Sequence, residues 1–149
     1  MNLVSVLILA ALCFGPSVHD GDTFRDADCV KRRLWGADVV ELDQTCDGEP
    51  CGLWARGALA EILSKGEAVC EDRGVSHDRV VSRCFVSGMD VSRQMVRLGW
   101  AVDVPQFSGG EYADTELEAR RAKRGMWGYK EVVTPWAWRT THGRRSNRQ

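Results

Sequence analysis

The sequence has no excess of positive charge. Its 149 residues carry 20 Lys and Arg against 21 Asp and Glu, a formal net charge of −1. That excludes a strongly basic nucleic-acid coat, though not a small basic pocket. Histidine is scarce: His19, His77 and His142 are too scattered for a metal cluster. There is no CxxC pair and no Cys/His grouping at zinc spacing, which excludes a zinc site. Internal repeats are absent, as is low-complexity sequence apart from the C-terminal tail. No Lys or Arg precedes Arg25, so the N-terminus lacks the positive region of a typical signal peptide. Its apolar run, residues 3 to 14, has the length of a signal-peptide core and is too short for a comfortable membrane span.

What remains is ordinary globular material, 44% apolar and 28% charged, enough for one domain with a sizeable core. The boundaries read from the chain are a hydrophobic leader over 1–16, a domain over 17–139 and a basic solvated tail over 140–149. The leader is a cleaved signal, an uncleaved anchor or a buried first strand. Past Glu131 no acid occurs, while Arg139, Arg144, Arg145 and Arg148 follow. Cys13 lies in the leader. Of the others, Cys70 and Cys84 sit on two runs that read as a hairpin, and Cys46 and Cys51 can close a small loop, which leaves Cys29 over. Disulfides suit an exported protein, secreted or periplasmic.

Patterning gives strands, a helix, strands and two more helices. "SVHDGDTF" reads as a strand broken by a turn at Asp20-Gly21, and "CVKRRLWG" as another strand. "DQTCDGEPCG" is a loop. From Leu53 to Lys65 the apolar residues fall four apart, as in a helix. Residues 67–86 give two strands around the polar loop "EDRGVSHD". Val91, Met95 and Leu98 mark a short helix ending at Gly99. A last helix runs from about Glu111 to Arg124, acids first and bases last, as the helix dipole favours. Short strands with an inserted helix suit an α+β, mainly β, barrel of the oligonucleotide-binding (OB-fold-like) type. The tryptophans at 54, 100, 127, 136 and 138 read as core and closure residues.

One segment carries more charge than an interior strand should. In "RRLWGADVVE", residues 32–41, Arg33, Asp38 and Glu41 bracket apolar residues. The segment is either a surface ion-pair cluster or a site. Cutting a phosphodiester needs a hard cation, an activated water and cations facing the phosphate oxygens. Asp22 and Asp38, on neighbouring strands, would begin an oxygen-only Ca²⁺ site. Glu41 is placed to act as general base. Arg33 and Arg79 can each offer a planar fork of donors to phosphate. The plainer readings are a turn at 20–22, an Arg33–Glu41 bridge and an Asp78–Arg79 surface pair.

"DGDT" at 20–23, "RLWGADVVE" at 33–41, "HDRVVSRC" at 77–84, "RLGWA" at 97–101 and "RGMWGY" at 124–129 resemble, in order and spacing, the thermonuclease (staphylococcal nuclease-like) family. A further charged piece, "PWAWR" at 135–139, follows them. The resemblance spans roughly residues 17 to 139. It implies a five-stranded barrel with three helices and a calcium-dependent nuclease acting on DNA and RNA; a monomer is the default expectation. It implies catalytic roles for Arg33, Glu41 and Arg79. Calcium would be held by Asp22, Asp38 and the carbonyl of Val39. Three departures stand out. Val40 replaces the family's Pro and removes a fixed φ beside Glu41. Val39 stands where Thr or Ala is usual. His77-Asp78 replaces Tyr-Gly, and Asp78 can compete for Arg79. Val40 and Asp78 motivate the alternative, a non-catalytic nucleic-acid-binding module on the same barrel.

Overall fold

The computed structural model describes residues 15–143. The apolar run at 3–14 and the arginines at 144, 145 and 148 lie outside them. Strands β1 (Ser17–Val18) and β2 (Thr23–Arg25) form a hairpin around the Asp20-Gly21 turn, and β3 (Lys31–Leu34) pairs antiparallel with β2. β4 (Ala37–Val39) follows after Gly36. Helix α1 (Cys51–Leu63) comes next, then the long hairpin of β5 (Ala68–Ser76) and β6 (Arg79–Val86). β7 (Met89–Asp90) leads into α2 (Val91–Arg97), whose N-cap Asp90 accepts the Arg93 amide. β8 (Ala101–Asp103) is followed by α3 (Pro105–Ser108), α4 (Ala113–Arg121), a 3-10 turn at Gly125–Gly128 and α5 (Pro135–His142).

The strands make a six-stranded sheet in the order β1-β2-β3-β6-β5, with β7 on β6, and a separate ribbon β4-β8. The β3–β6 pairing is parallel, with Arg33 opposite Val81. Its crossover carries α1, as parallel strands require. The fold is α+β. The three expected helices are present as α1, α2 and α4, and α3 and α5 add to them. Pro135 at the first helical position, with the Thr134 hydroxyl accepting the Ala137 amide at 3.4 Å, starts α5. That helix carries on to His142, three residues into the segment 140–149 that was expected to be a solvated tail.

The core gathers Phe24, Leu34, Val39 and Val40 from the first strands, Leu59 and Ile62 from α1, and Val91, Met95 and Val96 from α2. Tyr112 closes it, fully buried, with its hydroxyl donating to Asp90 at 2.8 Å. Gly99 admits a backbone crossing: a Cβ there would lie 2.0 Å from the Arg124 carbonyl oxygen.

The β5–β6 hairpin is longer than its polarity suggested. "EDRGVS" is strand, not loop; pairing continues to Ser76 opposite Arg79, past a bulge between Asp72 and Gly74. The sequence hides this because the outer half of β5 is solvent-exposed and needs no apolar alternation. Cys70 pairs with Cys84 across this hairpin, and Cys46 with Cys51 across the loop before α1. Cys29 is disulfide-bonded too, and no described cysteine is a free thiol. Trp54 and Trp136 also depart from expectation, at 43% and 68% exposed. Among the described residues no helix is long and apolar enough to cross a membrane.

Candidate active site

The first half of the site is built by strand register. In β2–β3, Thr23 lies opposite Arg33, and the Leu34 amide donates to the Asp22 carbonyl at 2.8 Å. Adjacent residues on a strand face opposite ways, so Arg32 and Arg33 part company. Arg32 enters a structural network with Asp26, Asp72 and Ser82. Arg33 reaches Asp22, Nε to Oδ2, at 3.6 Å. The tight His77-Asp78 turn starts β6 at Arg79, whose Nη1 lies 3.6 Å from Asp22 Oδ1 and donates to the Thr23 hydroxyl at 2.9 Å. That hydroxyl in turn donates to Asp22 at 2.6 Å. Asp22, Arg33 and Arg79 are therefore brought together.

Burial raises the Asp22 carboxyl, but the Arg33 charge, hydrogen bonds from Asp20 and Thr23, and Arg79 outweigh it and hold the group below its ordinary range. Asp20 is shifted the other way. Burial first, and then the negative Asp22, push its carboxyl up to about 7. The turn itself requires glycine: a Cβ on Gly21 would lie 2.5 Å from Val39 Cγ1. That close approach sets the 20–22 turn against β4.

The second half is held from far away in the chain. Arg139, on α5, grips both oxygens of Asp38, Nη1 to Oδ1 at 2.9 Å and Nη2 to Oδ2 at 2.8 Å. The same Nη1 donates to Glu41 at 2.7 Å. Hydrogen bonds to Asp38 and then to Glu41, against burial, hold the Arg139 guanidinium firmly charged. Sequence reasoning placed Arg139 in the charged piece at 135–139, at the end of the domain, and gave it no partner, so it missed this contact. The signal was there: Thr134-Pro135 is a helix start, which puts Arg139 on a structured element.

Behind Glu41, the buried Gln44 accepts the Glu41 amide at 3.1 Å and donates to the Val133 carbonyl at 2.8 Å. Asp47 accepts the amides of Lys130 and Glu131. Gln44 thus ties Glu41 to the strap that delivers α5, and Asp47, inside the loop closed by the Cys46–Cys51 disulfide, holds the same strap.

The departures at Val40 and Asp78 have structural answers. The Val40 amide donates to the Trp100 carbonyl at 3.0 Å, a bond proline could not make. A hydrogen bond replaces the fixed φ. Asp78 turns to Lys31 at 2.8 Å and leaves Arg79 to Thr23 and Asp22. The suggested Arg33–Glu41 bridge does not form either; Arg33 takes Asp22 and Glu41 takes Arg139.

Two carboxylates and a carbonyl are hard oxygen donors, and the Gly21–Val39 approach brings the segments bearing them together, so the donor set suits a calcium-like ion. No group of three or more His, Cys, Asp or Glu suited to a metal occurs among the described residues, so such an ion would need further oxygens from water or phosphate.

The staphylococcal nuclease homologue family matches residues 31–129. That span contains Arg33, Asp38, Glu41 and Arg79 and leaves Asp22 and Arg139 outside. A protein of Escherichia coli named an uncharacterized endonuclease is 28% identical over 125 residues, covering 82% of this chain and 80% of its own. The succinoglycan biosynthesis protein ExoI of Rhizobium meliloti is 34% identical over 119 residues, covering 74% of this chain and 62% of its own.

Proposed function

The chain belongs to the staphylococcal nuclease homologue family and is a nuclease, and from that premise we propose that it hydrolyses DNA and RNA with Ca²⁺ held by Asp22, Asp38 and the Val39 carbonyl. The observation that carries this reading is the pair of guanidiniums converging on Asp22 at 3.6 Å each. Those contacts are loose, so Arg33 and Arg79 keep donors available for the oxygens of a phosphate. Bound calcium would polarise a phosphate oxygen as a Lewis acid. Arg33 and Arg79 stabilise the charge that develops on the phosphoryl oxygens. Glu41 takes the proton of the attacking water as its oxygen bonds to phosphorus. The bond to the 5′ oxygen breaks, and the phosphate stays on the 3′ oxygen.

We read the two sheets as an OB-type barrel and the domain as a monomer. Two disulfides within the described residues support a secreted or periplasmic location. The binding-module alternative drew on Val40 and Asp78, and the Trp100 and Lys31 contacts remove its motive.

The test is cleavage of denatured DNA by the purified protein with Ca²⁺, with Mg²⁺ and with chelator, alongside Glu41→Gln. Calcium-dependent cleavage that drops about 10²- to 10⁴-fold in the folded variant is expected for a general base. Equal cleavage by Glu41→Gln, or cleavage indifferent to chelator, would overturn the assignment. DNA binding without cleavage would establish the non-catalytic module.

A further inference from the structure

Arg139 upsets the charge balance that a metal site needs. Asp22, Asp38 and Glu41 supply three negative charges, and Arg33, Arg79 and Arg139 supply three positive ones. A divalent cation entering a balanced cluster meets no net attraction. It must bring an anion with it or displace a cation. A carboxylate whose two oxygens each accept from one guanidinium is also largely used up as a ligand.

Of the three arginines, Arg139 is the one placed to yield. Arg33 and Arg79 sit on β3 and β6, paired strands of the main sheet. Arg139 sits on α5, where Pro135 is the only buried residue and Trp136 is 68% exposed. Ala137 and Trp138 are partly buried, and Arg139 supplies the hydrogen bonds from this helix to Asp38 and Glu41. Its strap is fixed separately, by Asp47 on Lys130 and Glu131 and by Gln44 on Val133. Local release of the Arg139 side chain would leave those anchors intact.

We propose that Arg139 is the resident counter-cation of the metal site: it occupies Asp38 when metal is absent and must leave Asp38 for a divalent cation to bind. Metal binding is then an exchange of a guanidinium for an ion. This rests on the reading of Asp38 as a metal ligand. Arg139 is a positioning residue and touches neither the reacting water nor the phosphate in this role. Its contact with Glu41 can persist through the exchange, since that bond does not use Asp38.

The experiment is calorimetric titration of the full chain with Ca²⁺ alone, without nucleic acid. The proteins are wild type, Arg139→Gln, Asp38→Asn and, as a control for general charge, Arg121→Gln on α4. Exchange predicts that Arg139→Gln binds calcium at least about tenfold more tightly than wild type, while Arg121→Gln stays within about twofold. Unchanged or weaker binding by Arg139→Gln overturns the exchange, and the metal assignment survives if Asp38→Asn has lost affinity. Wild-type affinity in Asp38→Asn overturns the metal assignment and the exchange with it. Thermal melts give a second reading, in which the rise of Tm on adding calcium should be larger in Arg139→Gln than in wild type. An equal or smaller rise counts against the proposal. Should Arg139→Gln not fold, Arg139→Lys keeps the charge but cannot fork across both Asp38 oxygens. It should tighten calcium binding about threefold, and wild-type affinity in that variant overturns the proposal.

Discussion

Asp22 and Asp38 are both carboxylates facing arginine, yet they are held in opposite ways. Asp22 meets two guanidiniums from adjacent strands, each at 3.6 Å, in a contact made by sheet register. Asp38 meets one guanidinium on both its oxygens, at 2.8 and 2.9 Å, from a helix 101 residues later. The first half is loosely paired and keeps donors free for an incoming anion. The second half is satisfied within the protein. A site assembled from secondary structure alone stays open to substrate, while one completed by a distant helix is closed until something competes for it.

This contrast can be broken from either side. The largest effect is expected in the open half. Arg79→Ala should lower cleavage about 10²- to 10³-fold, the scale for removing one donor to a transition-state oxyanion, with little change in Tm. Arg79→Lys should recover only part of it, because an ammonium cannot serve both Thr23 and a phosphate as a fork does. A loss below threefold in steady-state cleavage would remove Arg79 from the site. The closed half should respond first in stability. Gln44→Ala leaves the Glu41 amide and Val133 carbonyl without their partner, a cost of about 1–3 kcal/mol by denaturant melts. Cleavage should fall with it, since Glu41 and the α5 strap lose a shared anchor. Unaltered stability would mean that Gln44 does not tie the two together. The smallest effect is expected at the exposed Asp78–Lys31 pair. Asp78→Asn should leave both Tm and cleavage unchanged. A marked gain in cleavage would show that Asp78 does compete for Arg79.

The same contrast separates what could be read in the sequence from what could not. The Asp20-Gly21 turn, the strand bearing Arg33 and the approach of Cys70 to Cys84 are local or periodic, and each has a residue signature. Arg79 came with a short motif that opens a strand. Arg139 bonds residues 98 and 101 positions away, and no periodicity records a contact of that span. Proline and threonine marked its helix but not the helix's destination. The polar half of β5 was missed for a related reason: it faces solvent, so its pairing partner and not its own pattern makes it a strand. Val40 looked like a loss because proline's constraint is visible in sequence, whereas the hydrogen bond that replaces it depends on where Trp100 lies.

The separation between Glu41 and Arg139 also has a meaning in time. Chains are made from the N-terminus at roughly 5–20 residues per second. The 98 residues between Glu41 and its partner therefore amount to about 5 to 20 seconds of synthesis. Throughout that interval Asp38 and Glu41 exist without the arginine that bridges them. The emerging chain carries a bare pair of acids, and the last of the described helices is what caps them.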